Sequence, residues 1–414
     1  MTSEQSGPTW TRQDYLYLTL AMMIKFGDGV EIYLPGVITQ KVSCELELSS
    51  LQEAFLAAIL YAFQGISLLS AVKLASWFGE RNVVLFSLYS SIVSTVFCAI
   101  VPNYYTFLLS RALIGMSCGL NSTLIGILCV KNISSKDILP KFSFLHASLA
   151  ITLGGTWASL LGWLLLDNLG WRVFVLLTSI PIFIPPIFIL HCYTRQEVDQ
   201  EYSSESDPIL DRRTEDLSEE IFSIRALKAS LFMCFNFCIG YGSILLLPAI
   251  IKQHNLEADY DMFENCEEVV HGHQYLILTG MNGLANVLGR IIGYPLRSRV
   301  SFVVLQSIVM LGAGISYGII LTKPGLLVES TMMGIGKLCY SIQGVEVGIL
   351  LYDVDYFGYS RVSLGSALMY TGGEVGALLS TFLAVIIESQ IAVLVTLFVI
   401  VLQIVLIQSM RERK

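Results

Sequence analysis

The stretch "TRQEVDQEYSSESDPILDRRTEDLSEEI" (residues 194–221) interrupts a chain of 414 residues that is otherwise strongly apolar. It is charged, serine-rich and poor in large hydrophobic side chains, which is the composition of a linker. On each side of it lie apolar runs of about twenty residues, each long enough to cross a ~30 Å hydrocarbon core. Six precede it, at 15–38, 52–75, 82–101, 104–130, 139–166 and 171–193. Six follow it, at 222–250, 273–295, 301–321, 325–351, 358–387 and 390–409. With 54% apolar and only 14% charged residues, the chain reads as an all-α membrane protein. Six spans, a linker and six more spans predict two pseudo-symmetric six-helix bundles with a solute pathway between them. A channel or a receptor with an unusual span count is the competing class. The expected organisation is a cytoplasmic segment 1–14, a bundle 15–193, the linker 194–221, a bundle 222–409 and a tail 410–414.

The net charge of −8 is dominated by acidic loops. Arg81, Lys136, Arg212, Arg297 and Arg411 fall on one side of the predicted membrane, and the opposite loops hold fewer basic residues. The positive-inside rule then makes both termini and the linker cytoplasmic, and the acidic loop 251–272 non-cytoplasmic. The polar N-terminus lacks a basic segment followed by a cleavage site, so no cleaved signal peptide is expected. Most of the nine cysteines lie in apolar spans. Cys44 and Cys266 lie in non-cytoplasmic loops and could pair there.

The first span contains "KFGDGVEIYLPGV" (25–37). A charge near the bilayer centre costs at least ~2.5–3.5 kcal/mol, so Lys25, Asp28 and Glu31 need a compensating role. Steps of three residues place them on one side of a helix. Lys25 can partly neutralise Asp28 one turn away. Arg111, in "LLSRALIGMSCGLNSTL" (108–124), lies at matching depth in the fourth span and can face one or both acids. A carboxylate between a burying environment and a guanidinium can take up and release a proton when the guanidinium moves. Asp28, Glu31 and Arg111 are therefore candidates for proton coupling. A static salt bridge and direct substrate contact are the alternatives.

The pieces "DGVEIYLPGVITQ" (28–40), "SRALIGMSCG" (110–119), "WRVFVLLTSIPIF" (171–183) and "GYGSILLLPAIIKQ" (240–253) resemble spans of the synaptic vesicle glycoprotein 2 and SVOP-like group of the major facilitator superfamily. That group is related to the organic ion and sugar porters. The resemblance implies a twelve-helix transporter working by alternating access. In sugar-porter relatives the residues at the Asp28 and Arg111 positions are implicated in proton coupling. The superfamily also carries an acid–arginine latch after its second span. Here "KLASWFGERN" (73–82) has Ser76 and Trp77 in place of that acid and arginine, and only Gly79 and Arg81 remain. The second-half copy, "GRIIGYPLRSR" (289–299), has Tyr294 in place of the acid and keeps Arg290, Arg297 and Arg299. The latch is expected to be weak, with Gly79, Arg81 and Arg297 as its remnants.

In such a fold a solute sits near the midplane between the halves. The polar residues within spans of the second half are the substrate-binding candidates: Asn236, Tyr241, Asn282, Asn286, Gln343, Glu346 and Glu374. Glu346 is preferred over Glu374, and either could pair with Lys337. Asn282 and Asn286 form an i, i+4 stripe continued by Arg290, unless the asparagines only join helices and Arg290 only reaches the rim. Tyr33, Tyr61, Trp157, Trp163 and Tyr370 could stack on a flat solute or simply pack. The glycine pairs Gly154/Gly155 and Gly372/Gly373 permit close helix crossing. Organic cations, anions, sugars and nucleotides all stay open as substrates, with the acid-rich midplane tilting toward cations. No Walker A loop, metal-spaced His/Cys cluster or nucleophile triad points to an enzyme, and no cofactor or nucleic acid is expected. The linker piece "ESDPIL" (205–210) resembles an acidic di-leucine sorting signal through Glu205, Ile209 and Leu210, which suggests an adaptor partner and a vesicular or endosomal membrane. The expected function is a proton-coupled carrier of a small organic solute, a symporter among the forms open to it. The alternative is a transporter-fold vesicle protein that has lost transport and acts through trafficking partners.

Overall fold

A computed structural model describes residues 10–133, 138–192, 219–257, 273–358, 361–386 and 389–410. Within these, every element is helical. The first half holds α1 (Arg12–Glu45), α2 (Ser50–Phe78), α3 (Glu80–Ile100), α4 (Tyr104–Asn132), the short α5 (Leu139–Ser143) and α6 (Ile151–Cys192). A π-helical segment, Phe144–Ala150, joins α5 to α6. The second half holds α7 (Glu219–Glu257), α8 (His273–Arg297), α9 (Phe302–Ile320), α10 (Leu326–Leu350), the short α11 (Val354–Phe357), α12 (Val362–Ile386) and α13 (Ser389–Ser409).

Among the described residues, 7 helical stretches are long and apolar enough to cross a membrane. One of them, Leu139–His191, is two crossings, because Gly170 adopts a φ of 70° and breaks the helix where the sequence separates the fifth and sixth spans. α1 is not among the seven because its charges exclude it. Counted by length, α1–α4, the two arms of the α5–α6 unit, α7–α10, α12 and α13 accommodate the twelve expected crossings.

Several helices run past the expected spans. α1 begins at a capping box in which the Thr11 side chain accepts from the Asp14 backbone N–H and Asp14 accepts from the Thr11 backbone. α7 is helical from Glu219, the first described residue after Cys192 and still inside the stretch expected to be linker. The sorting-like residues Glu205, Ile209 and Leu210 lie outside the described residues.

The halves are internally close-packed through glycine. A Cβ added at Gly154 would sit 2.0 Å from the Phe26 carbonyl oxygen, so α6 rests directly on the backbone of α1. In the second half a Cβ at Gly372 would sit 2.4 Å from the Ser230 carbonyl oxygen, so α12 rests in the same way on α7. Lipid offers no hydrophobic drive between helices, so such backbone approach supplies the packing energy.

The face where α6 ends and α7 begins, the linker face, is sealed between the halves. The Tyr352 hydroxyl donates to the Ser122 carbonyl at 3.3 Å. The His146 and Tyr352 rings lie 5.1 Å apart, and Phe144 stacks on Tyr294 at 4.3 Å. The π-helical segment supplies two of these residues. π-turns insert an extra residue and re-aim side chains, and they recur at functional places. The halves also meet along α2 and α12, where Phe55 and Phe382 make an edge contact at 5.3 Å.

Gly372→Ala is expected to push α12 off α7 and destabilise the purified protein by ~1–3 kcal/mol. Gly334→Ala, where an added Cβ meets nothing within 4 Å, serves as the control and should leave the melting temperature unchanged. Equal melting temperatures for the two variants would contradict the close approach.

Candidate functional site

Lys25, Asp28, Glu31 and Arg111 are all sealed from solvent, none more than 1% exposed. Among the described residues, Glu31 is the carboxylate that Arg111 pairs with. Its Nη1 lies 3.5 Å from Glu31 Oε2, and its Nη2 donates to the Glu31 backbone carbonyl at 2.9 Å. Thr95 of α3 donates to Glu31 Oε1 at 2.9 Å. One carboxylate thus ties α1, α3 and α4 together.

Asp28 has separate partners. Asn121 Nδ2 donates to its Oδ1 at 3.3 Å and Ser122 Oγ to its Oδ2 at 3.2 Å. Asn121 is itself fixed by the Ser87 hydroxyl. Lys25 acts on Asp28 through space and makes its direct contact elsewhere. Its ammonium donates to the Tyr370 hydroxyl at 3.1 Å and sits 4.7 Å from that ring's centre. Tyr370 belongs to α12, so Lys25 bridges the two halves. Glu374, one turn further along α12, is 3% exposed, feels the charge of Lys25, and has an Oε2 with no hydrogen-bond partner among the described residues.

Between the halves lies a cavity lined by Tyr33, Asn236, Tyr241, Arg290, Tyr340 and Tyr370 with apolar neighbours. Of the residues named from the sequence as substrate-binding candidates, Asn236 and Tyr241 are among this cavity's lining. Gln343 stands behind Asn236 and accepts from its Nδ2 at 3.1 Å. Asn286 donates to the Tyr33 hydroxyl across the halves at 2.9 Å and accepts from the Ser341 hydroxyl. The side chain of Asn282 lies outside what the structure describes. Arg290 is buried in the cavity wall and does not reach the rim.

The two second-half acids sit apart from Lys337. Glu346 is engaged by Arg297 at 2.8 Å at the linker-face end of α10 and does not line the cavity. Lys337 donates to the Gly240 carbonyl at 2.6 Å. Glu374 packs near α2, where a Cβ added at Gly65 would lie 3.5 Å from its Cβ. Of the latch remnants, Gly79 makes the turn between α2 and α3 with a φ of 81°. Arg81 donates through Nε and Nη2 to the Leu190 carbonyl at 3.2 and 2.9 Å, closing the end of α6. Among the described residues the Ser76 hydroxyl bonds to the Lys73 carbonyl of its own helix. Cys44 is disulfide-bonded, and Cys266 lies outside the described residues.

Sequence reasoning passed over Thr95, Asn121, Ser122, Ser148 and Tyr340. The available signal was a hydroxyl or amide inside an apolar run, but such groups commonly bond their own helix backbone. His146, a lone imidazole in an apolar run, was a stronger marker of the linker-face seam.

Removing one partner of a buried ion pair leaves the other charge uncompensated, at ~3–5 kcal/mol. Glu31→Gln should therefore lower the melting temperature more than Asp28→Asn, and adding Arg111→Met to Glu31→Gln should recover part of the loss. Equal melting temperatures for the two single variants would refute the assignment of Arg111 to Glu31.

Comparison with known proteins bears on the family. A Caenorhabditis elegans protein named "Putative transporter svop-1" is 25% identical over 166 residues, covering 39% of this chain and 31% of the relative. Synaptic vesicle glycoprotein 2A of Rattus norvegicus, and likewise that of Homo sapiens, is 27% identical over 185 residues, covering 42% of this chain and 24% of the relative. The matched stretches thus span less than a third of these relatives. The profile of the Major Facilitator Superfamily matches residues 18–342, most of the chain. The helical architecture, the charged first helix and that match together place this protein in the Major Facilitator Superfamily, a family of membrane transporters.

Proposed function

We propose that the protein is a secondary-active carrier of a small organic solute, working by alternating access and coupled to protons, with the linker face and both termini cytoplasmic. The observation that carries this reading is the division of labour on α1. Glu31 is committed to Arg111 within the first half, whereas Lys25 reaches across to Tyr370 of the second. Asp28 sits between them, one turn from each.

A proton on Asp28 removes the anion that balances Lys25 on its own helix. The ammonium is then balanced by the groups of α12, Tyr370 and Glu374, so protonation biases the contact between the halves. Rearrangement must also break the Asn286–Tyr33 and Tyr352–Ser122 bonds. Each is a single hydrogen bond, worth about 0.5–1.5 kcal/mol, and the Ser148 hydroxyl adds ties to Arg290 and to the Gly344 carbonyl, so the seam opens by breaking a small set of separate bonds. Glu31 and Arg111 keep α1, α3 and α4 together as a rigid body during that motion.

A second reading has its own observation. The residues at the superfamily latch are Ser76 and the exposed Trp77, and among the described residues the Ser76 hydroxyl bonds to the Lys73 carbonyl of its own helix. A latch without its acid and arginine would suit a non-transporting membrane protein acting through partners. The named vesicle protein among the relatives suggests a vesicular membrane for either reading.

Reconstitution into liposomes holding a trapped pH dye separates the two. A panel of organic anions, cations and sugars should include a solute whose entry changes the internal pH. Asp28→Asn should abolish that pH change while solute exchange down its own gradient continues. Solute movement with no pH change in the wild type would make the carrier a uniporter. No movement of any solute by well-folded protein would favour the non-transporting reading.

A further inference from the structure

The cavity between the halves carries a charge opposite to the one suggested by the acids of the midplane. Among the described residues neither Asp28 nor Glu374 lines it, and the one charged side chain on its wall is Arg290. Arg290 is 7% exposed, and its guanidinium stays charged at any physiological pH. Among the described residues no carboxylate pairs with it. Its Nη1 donates to the Ser148 hydroxyl at 2.9 Å, its guanidinium lies 5.8 Å from the centre of the Tyr340 ring, and its Nε has no hydrogen-bond partner. Among the described residues this buried cation is answered by the hydroxyls of Ser148 and Tyr340 and by the Tyr340 ring, with no anion beside it, and is undercompensated.

The backbone is shaped to admit this side chain. A Cβ added at Gly344 would lie 1.8 Å from Arg290 Nη1, so the guanidinium fills the space that a side chain on α10 would need. A second donor faces the same space. The Tyr33 hydroxyl accepts from Asn286, so its own proton is left to donate. Around these donors stand the rings of Tyr241, Tyr340 and Tyr370. Flat aromatic walls suit a flat apolar body.

We infer that this cavity takes an organic anion: a flat carboxylate whose charged end binds the Arg290 guanidinium and whose body lies against the tyrosine rings. A guanidinium matches a carboxylate through two parallel N–H donors, whereas an organic cation would meet a like charge here. The same contact has a conformational consequence. The Ser148 hydroxyl that accepts from Arg290 also donates to the Gly344 carbonyl at 3.2 Å, so Arg290 helps hold the linker-face seam shut. An anion that draws the guanidinium toward the cavity loosens that tie. The inference rests on the carrier reading above, as it names the class of solute.

The test measures binding separately from flux. Purified protein in detergent is titrated with benzoate, benzamide and benzylamine, which share a ring and differ in charge, and the melting temperature is recorded. Stabilisation grows with ligand concentration for a compound that binds the folded state. Benzoate should stabilise the wild type, and the neutral amide and the amine should not. Arg290→Gln should weaken benzoate binding by about 30-fold or more, the loss expected on truncating one partner of a buried charge pair. Arg290→Lys keeps the charge without the planar fork and should bind benzoate at intermediate strength.

Stabilisation by benzylamine or benzamide without benzoate overturns the inference and leaves the carrier reading standing. Stabilisation by benzoate that survives Arg290→Gln also overturns it, as does the absence of any shift. Benzoate binding that depends on Arg290, in liposomes that move no solute, sustains the anion site and removes the carrier reading instead.

Discussion

A charge sealed inside a membrane protein must be answered by another group of the same protein, and here Arg111 answers Glu31. The pair is fully buried, and the guanidinium reaches both the carboxylate and the backbone carbonyl of the same residue. Removing either partner leaves a charge in a low-dielectric interior, where the penalty amounts to several kcal/mol. The remainder of the first half is arranged around that fixed point. Thr95 completes the acceptor set of Glu31, and Asn121 and Ser122, further along α4, are positioned to receive Asp28. Once α1 and α4 are locked in this register, Lys25 is left facing α12, and the two halves acquire a polar contact at their centre.

Close packing makes that register rigid within each half, and weak contacts leave it loose between them. Gly154 and Gly372 bring backbones together inside the first and second halves. Between the halves the described contacts include rings against rings and separate hydrogen bonds, such as Tyr352 to Ser122, Asn286 to Tyr33, Lys25 to Tyr370 and Arg290 to Ser148. Stiff bodies joined by contacts of small individual strength are what a rocking motion requires. Arg290 belongs to both descriptions, since it lines the cavity and ties α8 to the π-helical segment.

How much of this was legible in the sequence depended on whether a feature was local or relational. The helices and the break near Gly170 follow from apolar run lengths and a glycine. The shared side of Lys25, Asp28 and Glu31 follows from helical spacing, and the depth of Arg111 from counting residues. Which acid Arg111 takes was open, because that depends on the rotation of α4 against α1. The same limit applies to Glu346. Its presence in the tenth span was plain, but its engagement with Arg297 needs the register of α8 against α10. The π-helical segment had no mark in the sequence, so Ser148 passed unnoticed. The acids of the midplane suggested a cation site because counting charges does not say which of them line the space between the halves. Asp28 and Glu374 turn to protein neighbours, and Arg290 faces the cavity.

The central claim is that the sealed linker face opens and closes as the charge on Asp28 changes. The most direct test is a distance measurement by pulsed electron spin resonance. Labels would be placed at Lys141 of α5 and at Arg299 beyond α8, both exposed and carried by opposite halves. On a cysteine-depleted background in liposomes, the account predicts two distance populations. The longer one should gain weight when the pH is lowered or when Asp28→Asn mimics the protonated acid. A single distribution, unmoved by pH and by Asp28→Asn, would contradict it and identify a fold that no longer moves.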